Sequence, residues 1–186
     1  MNENLTFEQV MDAQKKYIQL EKLHWLKYEL FSFQFWFLLA MLIIPWFIWW
    51  KLVDKRRFLE IMSYGFLVII SATFLDDVGC QINLWEYHYD IEPLFPRLIP
   101  MNFTMLPISY MFVYQYFTEW KPFIIANIIA AAIYAFIGEP IFVMLKIYNL
   151  INWKHIYSFP IYVLLAVLLK LIVVKIMVAQ QRGSLK

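Results

Sequence analysis

The sequence is poor in the residues that build disulfides, metal clusters and flexible loops. Cys80 is the only cysteine among 186 residues, which excludes an internal disulfide and cysteine-rich zinc or iron–sulfur sites. The four glycines form neither a phosphate-binding loop nor a linker. Charged residues make up only 16% of the chain, against about 25% in ordinary soluble domains. The net charge of +2 gives no support for a nucleic-acid partner.

Apolar residues dominate instead, at 62% of the chain with a mean hydropathy of +0.59. Five apolar runs approach the roughly 20 residues that a helix needs to cross a bilayer. They show no alternation with a period of two, so spanning strands are not expected. The sequence predicts an all-α membrane protein with a five-transmembrane-helix bundle over residues 30–178 and a short tail, 179–186. The predicted spans are 30–50, 59–79, 99–117, 123–145 and 158–178.

Basic residues indicate an orientation. Lys51, Lys55, Arg56 and Arg57 lie between the first two spans, and short cationic loops stay on the cytoplasmic side. This predicts an outer amino terminus and a cytoplasmic carboxyl terminus. The lysines of the amino-terminal segment oppose that assignment, namely Lys15, Lys16, Lys22 and Lys27.

Residues 1–29 are predicted to form an amphipathic amino-terminal helix before the first span, with the helix itself over 5–29. Thr6 and Gln9 match a capping box. An apolar stripe follows, made of Phe7, Met11, Ile18 and Trp25. Such a helix either lies among membrane lipids at the interface or pairs with a helix of a protein partner.

Three carboxylates interrupt apolar runs: Asp76, Asp77 and Glu139. Ionisable groups inside a span are costly and mark candidate functional sites. Counted from the cytoplasmic edges, Asp76 and Glu139 lie at about the same depth, roughly 27–28 Å along their helices. The sequence therefore predicts a polar cluster at the outer mouth of the bundle, binding a ligand or ion. Its members are Asp76, Asp77, Asn83, Arg97, Asn102 and Glu139.

Two interpretations of this cluster stay open. In one, an aspartate and Glu139 form a cation or proton site. Asp76 and Asp77 can both face that site only if their helix ends near Gly79. In the other, Arg97 forms an ion pair with the carboxylates and loop amides supply hydrogen bonds.

Three other residues have simpler interpretations. Pro140 is expected to kink or break its helix. Lys170 is expected to extend toward the cytoplasmic interface, with pairing inside the bundle as the alternative. Asn127 is expected to bridge helices.

The loop after the second predicted span alternates aromatic and polar residues from Trp85 to Glu92. In an extended conformation His88, Asp90 and Glu92 share one face and form a weak candidate metal site with mixed nitrogen and oxygen ligands. A solvated acidic loop is the alternative. No cofactor is indicated.

The motifs Trp85-Glu86-Tyr87 and Leu106-Pro107, with Pro93, Pro96 and Pro100 between them, resemble those of a family of small multi-pass membrane proteins of spore-forming Gram-positive bacteria. This resemblance implies a bacterial plasma-membrane location and no particular activity. A looser likeness links the same motifs to small integral-membrane lycopene cyclases. Those enzymes carry glutamates where this chain has Ile108 and Ser109, so cyclase chemistry is not carried over.

The leading expectation is a non-enzymatic bundle that binds a ligand, ion or partner at its outer face, as a subunit of a membrane assembly or alone. No residue stands in a recognisable nucleophile setting, so no catalytic residue is assigned. A membrane enzyme acting on a lipid or isoprenoid, and a component of cation- or proton-coupled transport, are the alternatives.

Overall fold

The structure, a computed structural model, describes residues 6–93 and 97–183. It is an all-α bundle apart from one pair of short strands. The strands, β1 (Trp85–Tyr87) and β2 (Tyr148–Leu150), pair antiparallel with Glu86 opposite Asn149. The helices are α1 (Phe7–His24), α2 (Phe33–Leu52), α3 (Phe58–Gln81), α4 (Leu106–Tyr116), α5 (Trp120–Ile133), α6 (Glu139–Met144) and α7 (His155–Gly183).

Four helical segments in the described part of the chain are long and apolar enough to cross a membrane, by length and composition. The predicted third span, 99–117, is not among them. There, a five-residue π-helical turn, Met101–Met105, leads into the 11 residues of α4. The four segments are Phe33–Leu52, Lys55–Gln81, Trp120–Met144 and His155–Gln180.

The helices run between two ends of the bundle. We call the end that carries β1 and β2 the strand end, and the opposite end, with residues 53–57 and 117–119, the turn end. At the turn end the amide of Asp54 donates to Gln115 Oε1 at 2.9 Å. At the strand end Asn102 contacts the last turns of α3. The segment from Met101 to Tyr116 therefore extends from one end to the other, antiparallel to α3.

Most of the core lies between α3, α4 and α7. Tyr64 and Tyr114 stack with ring centroids 4.5 Å apart, and Gly65 allows Met111 to approach the α3 backbone closely. A smaller cluster around Leu38 and Ile147 packs under the strands. Burial of these side chains stabilises the packing of the helices and strands against one another.

The amino-terminal helix begins as predicted. Thr6 and Gln9 form the reciprocal capping box, which is confirmed. α1 buries none of its residues, and a π-helical turn, Trp25–Glu29, joins it to the bundle. The Nη1 of Arg97 donates to Glu21 Oε1 at 2.7 Å, so α1 lies at the strand end.

Asn127 does not bridge helices as expected, and Lys170 reaches one end of the bundle while staying buried. Lys170 is only 3% exposed, and its Nζ donates to the carbonyls of Phe117 and Thr118 at 3.2 and 2.8 Å. It reaches the turn end inside the bundle because backbone carbonyls there accept its hydrogens. Asn127 donates to Phe123 of its own helix at 2.8 Å and bridges no helices through that bond.

Pro140 does not break its helix. The helix widens into a π-helical turn, Tyr134–Gly138, and continues directly as α6. This arrangement places proline in the first turn of α6, where its missing N–H costs little.

Candidate functional site

A cavity of about 80 Å³ lies at the strand end, between α3, α7 and the first residues of α4 and α6. This volume is large enough for a few water molecules. β1 and β2 contribute Trp85 and Tyr148 to its lining. Asp76, Asn102 and Glu139 are also lining residues. Three of the six predicted cluster residues thus share one cavity.

Asp76 is 8% exposed and is held by three neutral donors. Its Oδ1 accepts hydrogen bonds from Trp85 Nε1 at 2.9 Å and Tyr87 OH at 2.6 Å. Its Oδ2 accepts one from Asn102 Nδ2 at 2.7 Å. Hydrogen bonds to a charged group contribute about 1.5–3 kcal/mol each, so these donors offset part of the cost of burying an ionised Asp76. Burial raises the pKa of Tyr87 well above its usual value, which keeps its hydroxyl a donor.

The backbone explains why these donors converge. Trp85 and Tyr87 lie two residues apart in β1, so their side chains project to the same face of the strand. Trp85 packs directly on the α3 backbone at Gly79, where a Cβ atom would overlap its ring. Glycine at this position permits the close approach that brings the indole to Asp76.

Glu139 has its own partners. Its Oε2 lies 2.7 Å from His155 Nδ1, and its Oε1 accepts from Tyr162 OH at 2.9 Å. Glu139 directly follows the π-helical turn of residues 134–138, and Asn102 lies within the turn of residues 101–105. π-helical turns of this kind often occur at functional sites.

The lining of the cavity is acidic. Asp76 and Glu139 are its two carboxylates, and among the described residues no lysine or arginine lines it. Arg97 is directed to α1, where it bonds Glu21 and Tyr17. The ion pair expected between Arg97 and the cluster is therefore replaced by one with Glu21. His155 is the nearest basic partner, and it is charged only when protonated.

Asp77 and Asn83 lie outside the cavity. α3 continues to Gln81 instead of ending near Gly79, and successive helical residues point about 100° apart. Asp77 therefore faces another surface, beside Thr73 and Phe103. Asn83 and Arg97 line a separate polar pocket of about 290 Å³ beneath α1.

The predicted metal ligands His88, Asp90 and Glu92 do not come together as a metal site. In residues 6–93 and 97–183, no group of three or more His, Cys, Asp or Glu side chains is placed to hold a metal ion. His88 is exposed whereas Asp90 is buried, and the Asp90 side chain accepts a hydrogen bond from the Leu98 amide at 3.0 Å. Burial raises the pKa of Asp90 to about 8, and the charge of Glu29 raises it too. Glu92, the third candidate, is partly buried.

Sequence reasoning missed several residues that line the cavity or bond to its carboxylates. Trp85 and Tyr87 had a signal in the two-residue alternation of the loop. Tyr162 follows His155 by seven residues, which places both on one face of a helix. No local pattern joins His155 to Glu139, because the two belong to different elements. Compared with known proteins, the chain matches no family model, no curated protein and no solved structure.

Proposed function

We propose that this protein is a non-enzymatic membrane bundle that binds a small cation in the cavity between Asp76 and Glu139. The observation that carries the proposal is a buried carboxylate, Asp76, whose three side-chain hydrogen-bond donors are all neutral. A buried charge without a counter-ion is costly. A bound cation supplies the missing charge.

Other charged residues at the strand end support the same conclusion. Glu139 adds a second carboxylate, while Arg97 is committed to Glu21 at 2.7 Å. In a membrane, carboxylates facing a protein interior typically serve ion or ligand sites. The acidic lining therefore favours cations over anions and neutral molecules.

The membrane setting is part of the proposal. We infer five crossings, with the segment from Met101 to Tyr116 as the third, because it runs from the strand end to the turn end. Exposed basic residues of the turn end, Lys51 and Arg56 among them, support a cytoplasmic turn end in a plasma membrane. An amino-terminal tag should then bind antibody on intact cells. Binding only after permeabilisation would reverse the orientation.

The amino-terminal helix is proposed to lie in the membrane interface at the strand end. Its exposed apolar side chains, such as Phe7, Ile18 and Leu20, support contact with lipid, while its lysines suit headgroups. The alternative occupant is a helix of a protein partner. Deletion of residues 1–28 separates the two: loss of a stoichiometric co-purifying protein, with insertion intact, would favour the partner.

Cation binding is tested by thermal stabilisation of the purified protein in detergent. A panel of Na⁺, K⁺, Mg²⁺, Ca²⁺, tetramethylammonium and choline covers the main chemical classes. At least one cation should raise the melting temperature, and Asp76→Asn should abolish that shift. Asp77→Asn is the matched control, because it removes the same charge one residue away from the cavity. No shift with any cation, or equal loss in both variants, would refute the proposal.

A further inference from the structure

The cavity lining other than its carboxylates is mainly aromatic and aliphatic. Two ring pairs meet at steep angles: Trp85 and Trp153 are 5.0 Å apart at 69°, and Trp85 and Tyr148 are 6.5 Å apart at 61°. These rings pack edge to face, and all three line the cavity. The aromatic lining residues are Trp85, Tyr148, Trp153 and Tyr162.

The carboxylate oxygens offer little room for a bare metal ion. Asp76 already accepts three hydrogen bonds, and Glu139 is engaged by His155 and Tyr162. A carboxylate has about four lone-pair sites, whereas Ca²⁺ takes about 6–8 oxygen ligands and Mg²⁺ about six. The lining supplies charge without enough free oxygen ligands.

An organic ammonium group has different needs. Its positive charge is spread over a larger, weakly hydrated surface, and aromatic faces within about 6 Å attract it. The two carboxylates, although already hydrogen-bonded, still provide the electrostatic attraction. Aromatic and acidic residues together are the combination that binds such groups.

The exposed part of the cavity lining lies on α3 and α7. Of its lining residues only Leu75 and Ile161 are exposed, at 43% and 36%. Both are apolar and belong to segments able to cross a membrane. Other lining residues are buried, among them Tyr148, which is 8% exposed, and Ser158, which accepts a hydrogen bond from Trp153 Nε1 at 2.9 Å.

We propose that the cavity takes an alkylated ammonium group, and that this group enters from the lipid side through the gap between α3 and α7. The inference rests on the proposed cation site and specifies its ligand. About 80 Å³ accommodates a group of a few heavy atoms, so the acyl chains of a lipid carrying the ammonium stay in the bilayer. A free ammonium compound presents the same chemistry from water.

The test uses the full chain in phosphatidylglycerol nanodiscs, which contain no ammonium headgroup. Tetramethylammonium and choline should bind, as measured by calorimetry, with Na⁺ and Ca²⁺ far weaker. Trp153→Leu should weaken tetramethylammonium binding about 2- to 30-fold. Trp36→Leu is the matched control, since Trp36 is 54% exposed on α2 and is not a lining residue.

The source is tested by adding phosphatidylcholine to the nanodiscs. If the lipid headgroup enters the cavity, the apparent affinity for choline should fall as the phosphatidylcholine fraction rises. Ile161→Trp, which fills the opening, should remove that competition, whereas Ile125→Trp on an exposed position of α5 should not.

The outcomes are separable. Binding of inorganic cations without tetramethylammonium or choline overturns the ammonium assignment and leaves the proposed cation site standing. No binding of any cation overturns both. Choline binding that is indifferent to phosphatidylcholine supports the ammonium assignment and overturns entry from the lipid. Should Trp153→Leu fail to fold, Ile161→Trp still tests the route, and the cation comparison on the native chain still tests the chemistry.

Discussion

Gly79→Ala is the sharpest test of how the site is built. An added Cβ would overlap the indole of Trp85, so either the overlap persists or the ring withdraws from Asp76. Overpacking costs about 1–3 kcal/mol, and loss of a hydrogen bond to a charged group costs about 1.5–3 kcal/mol. Alanine returns about 1 kcal/mol through its helix propensity. The net loss in the free energy of unfolding is therefore about 0–2 kcal/mol.

Gly138→Ala is the matched control, since its added Cβ meets nothing nearer than Ile133 O at 3.7 Å. It should keep the propensity gain, so the two variants should differ by about 1–3 kcal/mol. Denaturant titration in detergent, followed by far-ultraviolet circular dichroism, measures the difference. Cation-induced stabilisation should also weaken in Gly79→Ala alone. Equal stability together with unchanged cation stabilisation would refute the role of this contact.

Three more perturbations test other parts of the structure. Lys170→Met removes the donor to two turn-end carbonyls and should cost about 1–3 kcal/mol of unfolding free energy, whereas Lys175→Met on the exposed face should stay within about 0.5 kcal/mol. Burial raises the pKa of Asp90 to about 8, so the folded state holds this proton more tightly than the unfolded state does. The free energy of unfolding should therefore fall between about pH 4 and pH 8, by up to about 1.4 kcal/mol per pH unit. Asp90→Asn should flatten that slope when denaturation is measured at several pH values. Arg97→Gln should release α1 and speed its proteolysis, and an unchanged cleavage rate would contradict the anchoring contact.

Depth along a helix could be predicted from the sequence, because each residue adds a fixed rise of 1.5 Å. That regularity placed Asp76, Asn102 and Glu139 near one level, and these three line the same cavity. The direction in which a side chain points depends on where its helix ends. Gly79 suggested that α3 ends there. Instead, Gly79 makes room for the Trp85 ring and α3 continues to Gln81, so Asp77 was wrongly grouped with Asp76.

Partners from distant elements could not be predicted. Arg97 was expected beside the carboxylates, yet α1 offers it Glu21 at 2.7 Å, and no local pattern fixes where an amino-terminal helix docks. His155 meets Glu139 only because α6 and α7 return to the same end. The third span looked long enough by composition, but its π-helical turn and short α4 depend on packing against α2 and α3.

Buried tyrosines lie between the two ends of the bundle, and their hydrogen bonds bear on whether the proposed cation site also conducts protons. A proton relay needs each group to accept and donate in turn, and a backbone carbonyl only accepts. Two of the four hydroxyls end on carbonyls of α7, so the relay is interrupted in the middle of the bundle within the described residues. The four tyrosines therefore form no direct relay between Glu139 and Glu60. The bonds are Tyr162 to Glu139, Tyr110 to Tyr162 O, Tyr64 to Ala166 O and Tyr114 to Glu60.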